Sequence, residues 1–292
     1  MKHILCFGDS NLFGTNPSGG RWPLEQRWTG LLSLALGSEY RIIEEGLGGR
    51  TTVFDDPLEE NRNGIKQLPI MLHSHRPLDL VILSLGTNDC KTLFHSNART
   101  IAKALEKLAL MVKNYPYGEH YPIPQVLVIS PIHSGEDVEN SPFASFDHSS
   151  HLLSKSLAPA IRAMTEKNNL LFLDASLVAK SSLIDQLHMD ADGHAALAKA
   201  VLPILLDWFG DERFVVVREE EQIEAGDQQD PENVYEQVRY SESLEGETEF
   251  QAGQVDQDVP HTTEEQRDKK EAAPSSKRGR LPLSFGFFKK KL

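Results

Sequence analysis

The chain has 292 residues, 30 Lys and Arg against 43 Asp and Glu, a net charge of −13 and two cysteines; that length supplies one large domain or two small ones with a substantial core. The acidic balance argues against general nucleic-acid binding, whose affinity comes from Lys and Arg neutralising phosphates, and two cysteines exclude a disulfide scaffold or a four-cysteine zinc site. The sequence has no apolar run of the about 18 residues a membrane span needs, and the apolar part of its opening MKHILCFGDS is too short for a secretory signal, so the expected setting is the cytoplasm.

In chain order, the first predicted strand, His3–Phe7, runs straight into Gly8-Asp9-Ser10-Asn11. A Ser at the carboxyl end of a strand, on a turn flanked by Gly and Asp, suits a nucleophile whose own N–H points toward an oxyanion. The alternative is a Ser capping the next helix. The second strand, Tyr40–Glu44, leads to Gly46-Leu47-Gly48-Gly49-Arg50-Thr51-Thr52. Closely spaced glycines let a backbone approach a ligand and present its N–H groups. The stretch lacks the G-K-[ST] ending and the G-x-G-x-x-G spacing of nucleotide loops, so it reads as an oxyanion donor or as a plain turn. The third strand, Leu78–Leu83, is followed by Gly86-Thr87-Asn88-Asp89. The Asn88 amide can donate to an oxyanion without demanding a counter-charge; the alternative is an ordinary Asn–Asp turn.

Further along, a helix is predicted over Ala98–Val112, a strand over Gln125–Ile129, a helix over Leu152–Lys167 and a strand over Leu170–Leu173. The runs DLVILSL, QVLVIS and LLFLD are nearly continuous in apolar residues, as in parallel strands covered on both faces. The last predicted helix, Asp192–Trp208, repeats Ala195, Leu197, Ala198, Val201 and Leu205 at near-helical spacing. Strands alternating with helices predict a three-layer α/β/α domain. In such open sheets ligands bind outside the carboxyl ends of the strands.

The stretch Asp185-Gln186-Leu187-His188-Met189-Asp190-Ala191-Asp192-Gly193-His194 precedes and enters that helix. A metal site built from Asp185, His188, Asp190, Asp192 and His194 lacks a second cluster elsewhere to complete its shell. With Asp192 assigned as the helix cap and His194 to its first turn, Asp185 and His188 remain as an acid–base pair. A carboxylate on one imidazole nitrogen fixes the tautomer and turns the other toward a serine. The four blocks follow predicted strands or fill the last loop, so a parallel sheet brings them to one edge. Together they supply what acyl transfer through an acyl-serine needs.

Ser10, Gly49, Asn88 and Asp185-x-x-His188 follow the four blocks of the SGNH (GDSL-type) hydrolases, and the chain resembles that family over about its first 210 residues. Arg27-Trp28-Thr29-Gly30, Glu45-Gly46-Leu47, Arg50-Thr51-Thr52 and Leu85-Gly86-Thr87-Asn88-Asp89 are similar to the bacterial arylesterase/acyltransferase branch, some members of which also form peracids. The resemblance implies a five-stranded, flavodoxin-like parallel sheet and a Ser10–His188–Asp185 triad. It also implies an oxyanion hole of the Ser10 N–H, the Gly49 N–H and the Asn88 side chain, with no metal or organic cofactor. The substrate class it implies is a small ester, short acyl esters first and carbohydrate O-acetyl esters second. Homo-oligomers are a further expectation of that branch. The block reads GDSN rather than GDSL, a difference expected to leave the chemistry unchanged, and Ala is common in the branch where Gly49 stands. A reading of another class, a catalytically silent binding domain with an effector tail, is disfavoured by the intact set of residues. Candidate pocket residues are Asn11, Leu12, Trp22, Thr92, Phe94 and the loop after Ser130.

Charge divides the chain. Residues 1–210 carry a net −5 and hold all three Trp; residues 211–292 carry −8. The second part is too polar to offset its chain entropy by burial, so the expected organisation is one domain over 1–210 and a mostly disordered tail over 211–292. Within the tail, 211–258 carries −13 and 259–292 carries +5. Residues 277–292, KRGRLPLSFGFFKKKL, interleave Phe and Leu with Lys and Arg, a pattern open to an anionic membrane surface, an acidic partner or plain solvation.

Overall fold

The computed structural model describes residues 1–211; the expectations for 212–292, including the segment 277–292, lie outside the described residues. Five strands, β1 (Lys2–Gly8), β2 (Tyr40–Gly46), β3 (Leu80–Ser84), β4 (Gln125–Ser130) and β5 (Leu171–Asp174), form one sheet in the order β2-β1-β3-β4-β5. All four pairings are parallel. This is the flavodoxin-like order, in which the chain reverses its direction of winding beside β1 and opens a crevice at the carboxyl ends of β1 and β3. Each strand lies within two residues of the stretch its apolar run predicts.

Among the described residues, seven α-helices accompany the sheet: α1 (Ser10–Phe13), α2 (Trp28–Leu36), α3 (Gly64–His75), α4 (Ala98–Asn114), α5 (His148–Lys155), α6 (Leu157–Lys167) and α7 (Ala191–Phe209). Because strand side chains alternate, the sheet feeds two cores. Leu5, Phe7, Val81, Leu83, Val126 and Val128 pack with Leu68 of α3, Leu105 and Leu108 of α4 and Ile161 of α6. Ile4, Cys6, Leu80, Ile82, Leu127 and Ile129 pack with Trp28 and Leu32 of α2 and Val201 and Leu205 of α7. Burial on both faces explains why these strands read as continuous apolar runs. No helix among the described residues is long and apolar enough to cross a membrane.

Helix boundaries depart from the sequence reading in three places. The helix expected over Leu152–Lys167 is two, separated at Ser156. Pro159 is the reason: in a continuous helix its ring would clash with the Lys155 carbonyl, whereas as the third residue of a new helix it needs no N–H. The cap of α7 is Asp190, whose carboxylate accepts from the Gly193 N–H at 2.8 Å, not Asp192, which sits in the first turn. Helices α2 and α3 were not anticipated. The former, WTGLLSLAL, is too apolar to show a period, and the latter carries Pro69 in its interior.

Candidate active site

Strand β1 ends at Gly8, and Asp9 turns the chain into α1. The Asp9 side chain accepts from the Asn11 N–H at 3.0 Å and is the N-cap. The capping reading of Ser10 is therefore set aside: Ser10 is the first helical residue, and its hydroxyl is not needed to start the helix. Ser10 Oγ is buried and has no hydrogen-bond partner among the described residues. A buried hydroxyl without a partner costs about 1–3 kcal/mol, a cost that natural folds keep for positions with another purpose.

The Gly46–Thr52 loop is drawn onto this turn. Gly46 pairs with Gly8, and a side chain there would strike the Phe13 backbone of α1. The Leu47 N–H donates to Gly8 O at 3.1 Å. Gly49 lies in the left-handed region, at φ 74°, and a Cβ on it would come within 2.6 Å of Glu59 Oε2 and 3.0 Å of Arg62 Nε. The left-handed backbone at this position favours Gly over the Ala common in the branch. The Gly49 N–H makes no hydrogen bond among the described residues.

Asn88 follows β3 and is buried, and its Nδ2 donates to Arg50 O at 3.1 Å. One amide hydrogen is thus spent on orientation and the second remains to donate. Arg50 ties the strand ends together. Its guanidinium donates to Gly8 O at 2.8 Å, to Glu45 O and to Gln67 Oε1 at 2.8 Å, and it stacks on Phe7 at 4.1 Å. Beside it, Asp89 accepts the Thr52 N–H at 3.1 Å and the Thr52 hydroxyl, joining the two loops. Burial pushes the Asp89 carboxyl up to about 7. Lys91, also buried, donates to Asp56 and Glu59, each at 2.7 Å, and pins the segment that folds over Gly49.

On the loop before α7, Asp185 Oδ2 accepts from His188 Nδ1 at 2.6 Å, while Oδ1 accepts the backbone N–H groups of Leu187 (3.1 Å) and His188 (3.0 Å). Both side chains are buried. Burial raises the carboxyl pKa, and the three donors outweigh it, holding Asp185 below the usual carboxylate range. With the proton on Nδ1, Nε2 carries the lone pair a general base needs. The Phe143 and His188 rings meet in a T-shaped arrangement, centroids 5.4 Å apart. This loop is fastened to the Ser10 turn: Asn11 Nδ2 donates to Leu187 O at 3.3 Å, and Asn11 Oδ1 accepts the Met189 N–H at 3.0 Å.

The four sequence blocks therefore meet at the carboxyl edge of the sheet. Among the candidate pocket residues, Leu12 lies wholly in the core and Asn11 is spent on the His188 loop. Trp22 donates to Met189 O at 3.3 Å, and Phe94 stacks on Phe54 at 4.8 Å. Sequence reasoning gave no role to Arg50, Thr52 or Asp89. Their signal lay in the Arg-Thr-Thr and Asn-Asp segments, which were noted only as resemblance. Among the described residues no group of three or more His, Cys, Asp or Glu side chains is arranged to hold a metal ion.

Known proteins of this fold share much of the sequence. Among solved structures, the chain is similar to Est24, a carbohydrate acetylesterase from Sinorhizobium meliloti, with a TM-score of 0.67 and 36% identity over 72% of this chain and 100% of that one. It is also similar to the aryl esterase of M. smegmatis, with a TM-score of 0.66 and 34% identity over 71% of this chain and 99% of that one. No curated protein sequence matches. The model of the GDSL-like lipase/acylhydrolase family matches residues 6–196, and with the sheet order and the four blocks in place the chain belongs to that family of hydrolases.

Proposed function

We propose that the protein is a serine esterase that hydrolyses short-chain carboxylic esters, or transfers their acyl group, through an acyl-Ser10 intermediate. The observation that carries this reading is the Asp185-bound His188, on a loop fastened by Asn11 to the turn that presents Ser10. His188 Nε2 takes the Ser10 proton as Oγ attacks the ester carbonyl, and the Asp185 carboxylate stabilises the imidazolium. The tetrahedral oxyanion is received by the Ser10 and Gly49 N–H groups and the second Asn88 amide hydrogen; losing one such donor typically costs about 10²–10³ in rate. Collapse of the intermediate breaks the bond to the alcohol, which leaves with the proton from His188. The same base then activates water, or a second alcohol, to release the acyl group and restore the Ser10 hydroxyl.

The similarity to a carbohydrate acetylesterase favours a second reading, O-acetyl groups on sugars, for which the same constellation serves unchanged. The proposed setting is the cytoplasm, where buried thiols such as Cys6 and Cys90 stay reduced. Replacing Ser10 tests the core of the reading. Ser10→Ala is expected to lower turnover of p-nitrophenyl acetate by about 10⁴-fold or more with an unchanged circular dichroism spectrum. Activity retained in that variant would overturn the assignment.

A further inference from the structure

Asn11 stands where the family's usual block has Leu, directly after the proposed nucleophile, and its side chain is buried. Both ends of its amide are used, and both partners flank His188: Leu187 O accepts from Nδ2 and the Met189 N–H donates to Oδ1. A planar amide is suited to this because it carries a donor and an acceptor side by side. Turning it over would set donor against donor at Met189 and acceptor against acceptor at Leu187, so its partners fix its orientation. We propose that Asn11 is a positioning residue that holds the His188 loop against the Ser10 turn, and that the departure from GDSL is a functional substitution.

The task differs from that of Asp185. Asp185 lies on the same loop as His188, three residues away, so it sets the ring's tautomer and tilt within the loop. It places no constraint on the distance from that loop to Ser10. Asn11 belongs to the Ser10 turn and reaches across 176 and 178 positions of sequence to residues on either side of the base. Two bonds bracketing one residue fix both the place and the direction of the intervening backbone, which a single bond would leave free to pivot. Trp22, donating to Met189 O, adds a tether from another segment, on one side of His188 only. Leu at position 11 offers neither bond. Asp keeps the acceptor for Met189 but loses the donor to Leu187.

The inference rests on the acyl-Ser10 reading and predicts a particular kinetic pattern. Steady-state hydrolysis of p-nitrophenyl acetate is measured for the wild type, Asn11→Leu, Asn11→Asp and Ser10→Ala, with the folded fraction of each followed by circular dichroism. In Asn11→Leu, kcat is expected to fall by about 10²-fold, the size of effect that a misplacement of order 1 Å produces. KM is expected to stay unchanged, because the Asn11 amide faces the loop and not the substrate. Asn11→Asp keeps the Met189 bond but sets a carboxylate oxygen against Leu187 O, so it is expected to lose kcat as well and not to rescue it. Wild-type kcat in both variants, a loss confined to KM, or a loss that only tracks the folded fraction would overturn the proposal. Failure of the underlying reading looks different: turnover would then survive in Ser10→Ala, whatever stands at position 11.

Discussion

Ten residues around the start of α7 hold two histidines in opposite states. His188 gives its Nδ1 proton to Asp185, leaving Nε2 as an acceptor. His194, in the first turn of α7, is wholly buried, and its Nδ1 accepts the Trp28 N–H at 3.4 Å, which puts its proton on Nε2. Burial pulls the His194 pKa down to about 4. Asp190, four residues before it, accepts the Gly193 N–H on its carboxylate. Burial alone thus makes a histidine a neutral core residue. The proposed base differs in having a carboxylate on its far nitrogen and a loop tied to the Ser10 turn. In chain order the two pairs look alike; the Asp185 carboxylate on His188 and the Trp28 N–H on His194 tell them apart.

The largest effect that can break this contrast is loss of the proposed base. His188→Ala is expected to lower kcat/KM for p-nitrophenyl acetate by about 10⁴-fold or more while leaving the thermal midpoint close to that of the wild type. His194→Ala is expected to do the reverse, retaining kcat and losing about 1–3 kcal/mol of stability through its buried packing. Activity assays paired with urea unfolding decide between them, and exchanged phenotypes would mean that the roles are exchanged.

A smaller effect extends the contrast to buried carboxyls. Asp185 is held below its ordinary value by three donors, whereas burial pushes Asp89 up to about 7. For Asp89 the folded value lies above the unfolded value of about 3.9. Its contribution to stability is therefore fully present below about pH 4 and is lost as the pH rises through about 7. Asp89→Asn, which cannot ionise, is expected to gain on the wild type between pH 5 and 8. The slope is at most about 1.4 kcal/mol per pH unit. Urea unfolding of both proteins at pH 5, 6.5 and 8 checks this; a constant difference would show that the folded Asp89 carboxyl is already ionised across that range, as in the unfolded chain.

The strands were legible because burial on both faces leaves a one-dimensional trace, a continuous apolar run, and the position of Ser10, Gly49 and Asn88 after strands followed from that. Helix limits were less so. Pro159 marks the break between α5 and α6, yet the apolar spacing runs on across it, and both Asp190 and Asp192 look like caps until the Gly193 N–H chooses one. The supports of the site were least legible. Arg50 reaching Gly8 O, Asp89 receiving Thr52 and Asn11 bracketing His188 are contacts between segments far apart in sequence, and nothing local in the chain announces them. The Asn of GDSN sits beside Ser10, but its own partners lie near the other end of the domain.

Covalent labelling reads out whether Ser10 is a nucleophile activated by His188. The full chain is treated with a fluorophosphonate, and the adduct is located by peptide mass spectrometry in the wild type and in His188→Ala. One adduct is expected, on Ser10, formed far more slowly without His188. An adduct on another residue, or labelling of Ser10 at the same rate in both proteins, would contradict it.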